Sequence, residues 1–241
     1  MVPVKTYVRK LFHRAGYDLH RLIPKMNPMF QLQQGLQCFR IDLVLDVGAN
    51  AGQFGTDLRS MGYRGRIVSF EPLTSAHAQL LRAADGDQAW SVHARCAVGD
   101  RDDSVTINMA GNSVSSSLLP MTDTHESAAR ASAYVGVEQV SLVRLDSVAE
   151  ACLAGARAPF LKIDTQGLEW AVLDGAPMLL PRLRAVLCEL SLVHLYDDQH
   201  LWLDVIHRLE AEGLRTWAVQ PGFTDRREGR TLQLDAIFFR T

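Results

Sequence analysis

Asp46, Gly48, Asn50 and Gly52 form the pattern D-x-G-x-N-x-G at the end of the apolar run "LVLDV", and Glu71 follows about 20 residues after that loop. Glycine reaches positive φ and has no Cβ to hold a ligand away, and Asn is the other residue that tolerates this region well. A loop of this kind, leading from a strand into a helix, presents free N–H groups to a polar ligand. A pyrophosphate loop needs G-x-G-x-x-G, but from Gly48 the chain reads "GANAGQ", with its second and third glycines out of register. Asp46 would also repel a pyrophosphate. It suits a ligand with a cationic amino group, and S-adenosylmethionine carries both that group and a sulfonium. Glu71, ending the run "RIVSFE", is placed to accept hydrogen bonds from two ribose hydroxyls. Ala97 and Val98 in "HARCAVGD" supply apolar walls for an adenine. The structural alternatives are a bare glycine turn and, for Glu71, a cap on the helix that Pro72 opens.

A second dense stretch is "FLKIDTQGLEWAVLDGA", residues 160–176, where apolar residues surround Lys162 and the run ends on Asp164. Asp164 is the first candidate for a general base, or else it holds the amino-acid end of the cofactor. Glu189, ending the next strand, and His194 just beyond it are the other catalytic candidates. Glu169 falls in the first turn of a helix, where a carboxylate is favoured by the helix dipole whether or not it does chemistry. Asp164 and Glu189 could share a divalent cation, but no His and carboxylate spacing marks a dedicated metal site.

The elements that must carry these residues alternate. Strand-like runs at 43–47, 65–71, 89–94, 158–164 and 184–190 have apolar residues at consecutive positions, as strands buried on both faces do. Helical stretches at 52–61, 73–84, 167–174 and 200–212 lie between several of them, which predicts a mostly parallel sheet covered by helices on both faces. The last runs, 214–219 and 234–239, are joined by a polar loop and predict a C-terminal antiparallel hairpin. Residues 100–140, rich in Ser, Asp and Asn, interrupt the rhythm and are expected to form an inserted loop on the substrate side, flanked by short strands. The division expected is an N-terminal helical extension over 1–40 and one cofactor-binding domain over 41–241.

A net charge of -2 offers no excess of basic residues for nucleic acid. Cys38, Cys96, Cys152 and Cys188 are widely spaced, without a C-x-x-C pair, and read as reduced thiols of a cytoplasmic protein. No apolar run is long enough to cross a bilayer, and the first 25 residues lack the pattern of a signal peptide. Val4, Tyr7, Val8, Leu11 and Phe12 recur at helical spacing among Lys5, Arg9, Lys10 and Arg14. Such a helix docks on the domain or on an oligomeric partner, or it rests on an anionic membrane surface at the inner face.

"LDVGANAGQF", "FEP", "SSSL" and "KIDTQGLEWAVLDGA" together resemble the FkbM family of S-adenosylmethionine-dependent methyltransferases, from about residue 43 to 239. The resemblance implies a class I methyltransferase Rossmann-like α/β fold with a seven-stranded sheet, and O-methylation of a hydroxyl on a sugar, glycolipid, polysaccharide or glycosylated natural product. Gln166 stands where the family usually has Glu, which puts any role needing a charge there in question. A cofactor-binding protein of the same fold, catalytically silent and acting as regulator or scaffold, is the alternative. An NAD-linked oxidoreductase is the weaker third reading, since the chain has no Tyr-x-x-x-Lys.

Overall fold

The computed structural model describes residues 4–20 and 22–241; Met1, Val2, Pro3 and Arg21 lie outside the described residues, as do the side chains of Val4, Lys5 and Arg130. Helix α1 (Val4–Arg14) comes first, then α2 (Pro28–Cys38), whose N-cap Asn27 side chain accepts from the Phe30 N–H. Strands β1 (Leu43–Val47), β2 (Arg66–Phe70) and β3 (Trp90–Val92) alternate with α3 (Gln53–Ser60) and α4 (Thr74–Ala84). After β4 (Cys96–Val98), β5 (Asp103–Ala110), α5 (Asp123–Ala128), β6 (Tyr134–Val143) and α6 (Leu145–Leu153), the alternation resumes. It runs through β7 (Pro159–Ile163), α7 (Glu169–Asp174), β8 (Ala185–Ser191) and α8 (Trp202–Ala211), and ends in β9 (Arg215–Pro221) and β10 (Gln233–Phe239).

The main sheet has seven strands in the order β3-β2-β1-β7-β8-β10-β9. Pairings from β3 to β8 are parallel and those of β10 with β8 and β9 are antiparallel. This is the α/β class I methyltransferase arrangement with its C-terminal hairpin. Strand order reverses between β1 and β7, so their carboxyl ends open a crevice there.

β1 and β7 are buried at every position. Leu43, Leu45 and Val47 pack with Leu161 and Ile163 against α6, α7 and α8, through Leu145, Val172 and Leu209. On the other face Val44, Ile67 and Phe160 meet Leu32 and Leu36 of α2, Leu58 of α3 and Leu80 of α4. Helix α2, within the expected N-terminal extension, thus packs into this core. Helix α1 instead leaves Tyr7, Val8, Leu11 and Phe12 exposed. Among the described residues no helix is long and apolar enough to cross a membrane.

The segment 100–140 is more ordered than the expected loop. β5 and β6 pair antiparallel, β4 joins β6 in parallel, and this second sheet packs Ile107, Val140 and Leu142 around Leu73 and Ala97. Residues 96–98, expected as a loop, form its edge strand. The stretch 111–133 between β5 and β6 lies over the carboxyl ends of the main sheet, its Ser117 hydroxyl donating to the Gln166 carbonyl at 2.7 Å. All four cysteines are free, Cys38 exposed and the others buried.

Candidate active site

Parallel register sets Asp46 of β1 beside Ser69 of β2 and Lys162 of β7. Three strands thus point polar side chains to one face at one level. Asp46 is wholly buried. Its Oδ2 accepts from the Ser69 hydroxyl at 3.2 Å, and that hydroxyl accepts from Trp90 Nε1 at 3.0 Å. Its Oδ1 lies 3.2 Å from Lys162 Nζ, a charge contact without the alignment of a hydrogen bond. Lys162 also donates to the Gly48 carbonyl at 2.7 Å and stands 3.5 Å from Asp164 Oδ2. Burial alone would lower the lysine pKa, but Asp46 and Asp164 outweigh it and hold the ammonium charged above its usual range.

Asp46 is set apart by the structure from the residues that line the crevice. It stands behind the crevice wall as the partner of Lys162 and does not line the cavity. The bare backbone at Gly48 has an internal reason as well. With φ of 75°, a Cβ there would meet the Asp164 carbonyl oxygen at 1.8 Å, so the loops after β1 and β7 touch only because Gly48 has no side chain. Gly52 serves helix packing: it begins α3 at φ 88°, and a Cβ would press on Ala83 and Leu80 of α4 at 3.0 and 3.1 Å. Lys162, passed over in the sequence because apolar neighbours surround it, is the pin between the two loops.

The crevice holds a cavity at the carboxyl ends of β1 and β7. Gly48, Asn50, Glu71, Ala97, Val98 and Asp164 all face it. Glu71 is buried, its Oε2 accepting from the Asn50 N–H at 2.8 Å and its Oε1 from the Leu73 N–H at 2.9 Å. Burial raises its pKa to about 7 against the pull of those two N–H groups. Asn50 adopts φ of 48°, and its amide Nδ2 donates to the Ser113 hydroxyl at 3.1 Å, tying the glycine loop to the segment above it.

These residues fit an adenosyl group. Each Glu71 oxygen keeps a lone pair for a ribose hydroxyl, and Cys96, Ala97 and Val98 present an apolar side for the base. Asp164, 36% exposed at its side chain, is the carboxylate available to a cationic or hydroxyl group at the open end.

Gln166 closes that end. At φ 54° it turns back so that Nε2 donates to Asp164 Oδ1 at 2.8 Å and to Glu189 Oε2 at 2.7 Å, while Oε1 accepts from the Tyr196 hydroxyl at 3.0 Å. Its amide stands between the two carboxylates considered above for a shared cation, and a carboxylate at this position would meet both with like charge. Val114, Asp164 and Gln166 also line a second cavity, which Glu189 borders. Glu189 accepts from Gln233 Nε2 at 2.7 Å and sits opposite Asp235 in the β8–β10 ladder. Burial first, then Asp164 and Asp235, push its pKa well up.

Glu169 takes the local role: its Oε1 accepts from the Thr165 and Gly167 N–H groups at 3.1 and 3.2 Å, closing the turn before α7. His194 lies outside both cavities. It is exposed, and its carbonyl accepts from the Thr122 hydroxyl at 3.0 Å. Ser113 and His125 were missed because a polar 23-residue stretch shows no periodicity that would aim it at the sheet.

Residues 46–216 match the sequence model of the family described as Methyltransferase FkbM domain. No curated protein matches the chain. Among solved structures it is similar to Aeropyrum pernix fibrillarin, solved with natively bound S-adenosyl-L-methionine, at 12% identity over 82% of this chain and 66% of that one, TM-score 0.45. It is also similar to the Methanococcus jannaschii fibrillarin pre-rRNA processing protein, at 9% identity over 83% and 67%, TM-score 0.47. TehB from Haemophilus influenzae aligns at 7% identity over 88% and 62%, TM-score 0.46. With a family match across more than two thirds of its length, the chain belongs to the FkbM methyltransferase domain family, and its cofactor is S-adenosylmethionine.

Proposed function

We propose that the protein is an O-methyltransferase whose acceptor is a hydroxyl of a sugar, carried on a glycolipid, polysaccharide or glycosylated natural product. One observation carries this reading: the cofactor cavity meets a second cavity at Asp164 and Gln166. The second cavity is lined by the polar side chains of Asn112, Ser115, Ser132 and Gln233 and by the carboxyl groups of Asp164 and Glu189, beside the ring of Phe223. Such a lining suits a ligand rich in hydroxyls with one apolar face.

Bound S-adenosylmethionine supplies a methyl group already activated by its sulfonium, so the protein contributes chiefly position. Glu71 holds the ribose, Ala97 and Val98 flank the base, and Asp164 receives the amino-acid end or the acceptor hydroxyl at the junction. Gln166 orients Asp164 and Glu189 through its two donated hydrogen bonds. The segment over the crevice, tied down through Asn50 and Ser113, excludes water.

Helix α1 supports a surface role. Tyr7, Val8, Leu11 and Phe12 stand exposed, as do Arg9, Lys10 and Arg14 along the same helix. This combination suits an anionic membrane that carries a lipid-linked acceptor; a second copy of the chain is the other partner that could cover it.

The test is transfer of labelled methyl from S-adenosylmethionine into glycolipids and glycans extracted from a strain lacking the gene. Those glycans should be lighter by one methyl group than the parent's and should accept label from wild-type protein. Tight binding of S-adenosylhomocysteine with no label in any extract would favour the silent, cofactor-binding alternative.

A further inference from the structure

His125, on the short helix α5, is only 2% exposed, yet its Nδ1 has no hydrogen-bond partner. Buried polar atoms are nearly always paired, so an unpaired one on a residue that lines a cavity calls for a reason. The ring is held in place by aromatic contacts, edge-on to Tyr196 at 5.1 Å between centroids and tilted against Phe223 at 5.6 Å. Tyr196 is itself anchored, its hydroxyl donating at 3.0 Å to Gln166 Oε1. His125 therefore lines the second cavity on a rigid support that reaches the junction with the cofactor cavity.

We propose that the second cavity is the acceptor subsite and that His125 takes the proton of the acceptor hydroxyl during methyl transfer. The inference rests on the hydroxyl-acceptor reading above. The other groups in the same cavity already have partners, and the part-exposed side chain of Asp164 suits the cationic end of the cofactor. Glu189 accepts from both Gln166 and Gln233, and Asp164 accepts from Gln166 and faces Lys162. His125 has an unused nitrogen.

In the step, the hydroxyl oxygen bonds to the methyl carbon while the carbon–sulfur bond breaks and its electron pair stays on sulfur. The positive charge passes to the oxygen, and its proton then moves to the imidazole, leaving a neutral methyl ether and an imidazolium. Burial holds the His125 pKa down to about 4, so the ring starts neutral. That basicity suffices, because a proton on an oxygen already bonded to the incoming methyl is far more acidic than an imidazolium. Asp164 and Glu189 line the same cavity.

Protein labelled at histidine ¹³Cε1 and saturated with S-adenosylhomocysteine provides the test, titrated with methyl α-D-mannopyranoside, methyl α-D-galactopyranoside and methyl α-L-rhamnopyranoside. At least one glycoside should receive saturation transfer and shift the His125 signal, which is identified by its absence in His125→Gln and His125→Phe. Both variants should bind S-adenosylhomocysteine within twofold of wild type. His125→Phe should weaken the glycoside at least tenfold. His125→Gln, which can hydrogen-bond but cannot take the proton, should bind it yet transfer methyl about a hundredfold more slowly. Saturation transfer with an unmoved His125 signal, or unchanged transfer in His125→Gln, overturns the role of His125 alone. No saturation of any glycoside overturns the sugar reading and this proposal together.

Discussion

Glu71 joins the cofactor cavity to proton equilibria near neutrality. Its carboxyl is raised from 4.5 to about 7 by burial, so the folded protein holds a proton that the unfolded chain releases. Its contribution to stability therefore falls as pH rises from about 4.5 through 7, since the native state binds more protons in that window. With Glu71 in the proposed ribose-binding role, ligand binding runs the other way, because ribose hydroxyls donate most strongly to an ionised acceptor. Affinity for S-adenosylhomocysteine, measured by calorimetry, should rise between pH 6 and 8. Glu71→Gln should flatten that rise and bind roughly 10- to 100-fold more weakly at pH 8, as expected for hydrogen bonds to a charged group. The acid's spacing from the glycine loop singled out Glu71 in the sequence, and the structure places it on the cavity wall; its raised pKa could not be read there, because burial depends on the folded chain.

Among the elements, the contact of the loops after β1 and β7 is the feature on which the crevice depends. Gly48→Ala would bring a Cβ onto the Asp164 carbonyl oxygen at a residue already held at φ 75°. It should cost about 3 kcal/mol. Gly86 has a similar φ of 78° with nothing within 4 Å, so Gly86→Ala measures the backbone strain alone, about 1 kcal/mol. Urea denaturation of the two variants separates clash from strain, and equal losses would remove the argument for close approach. The same contact explains why Asp46 and Lys162 were hard to read. An acid ending one strand and a lysine inside another pair only because parallel register sets them side by side.

Taken as a whole, the molecule divides into a tightly packed domain beginning at α2 and a preceding helix with an exposed apolar face. Truncation of residues 1–20 should leave the thermal midpoint within about 2 °C, because little core is removed. It should also abolish co-sedimentation with phosphatidylglycerol vesicles, which the full chain should bind more tightly than phosphatidylcholine ones and less tightly as salt rises. Retained binding after truncation would remove the membrane role of α1.

The strand–helix alternation, the hairpin and the glycine loop were all readable from residue order, because periodicity and turn chemistry are local properties of the chain. Tertiary structure alone decided that Asp46 faces Lys162, that Gln166 bridges Asp164 and Glu189, that His194 stays outside, and that the 111–133 segment brings Ser113 and His125 to the crevice. Each of these is a meeting of side chains from distant segments, set by sheet register and by what a close-packed interior leaves room for, and linear spacing does not encode either.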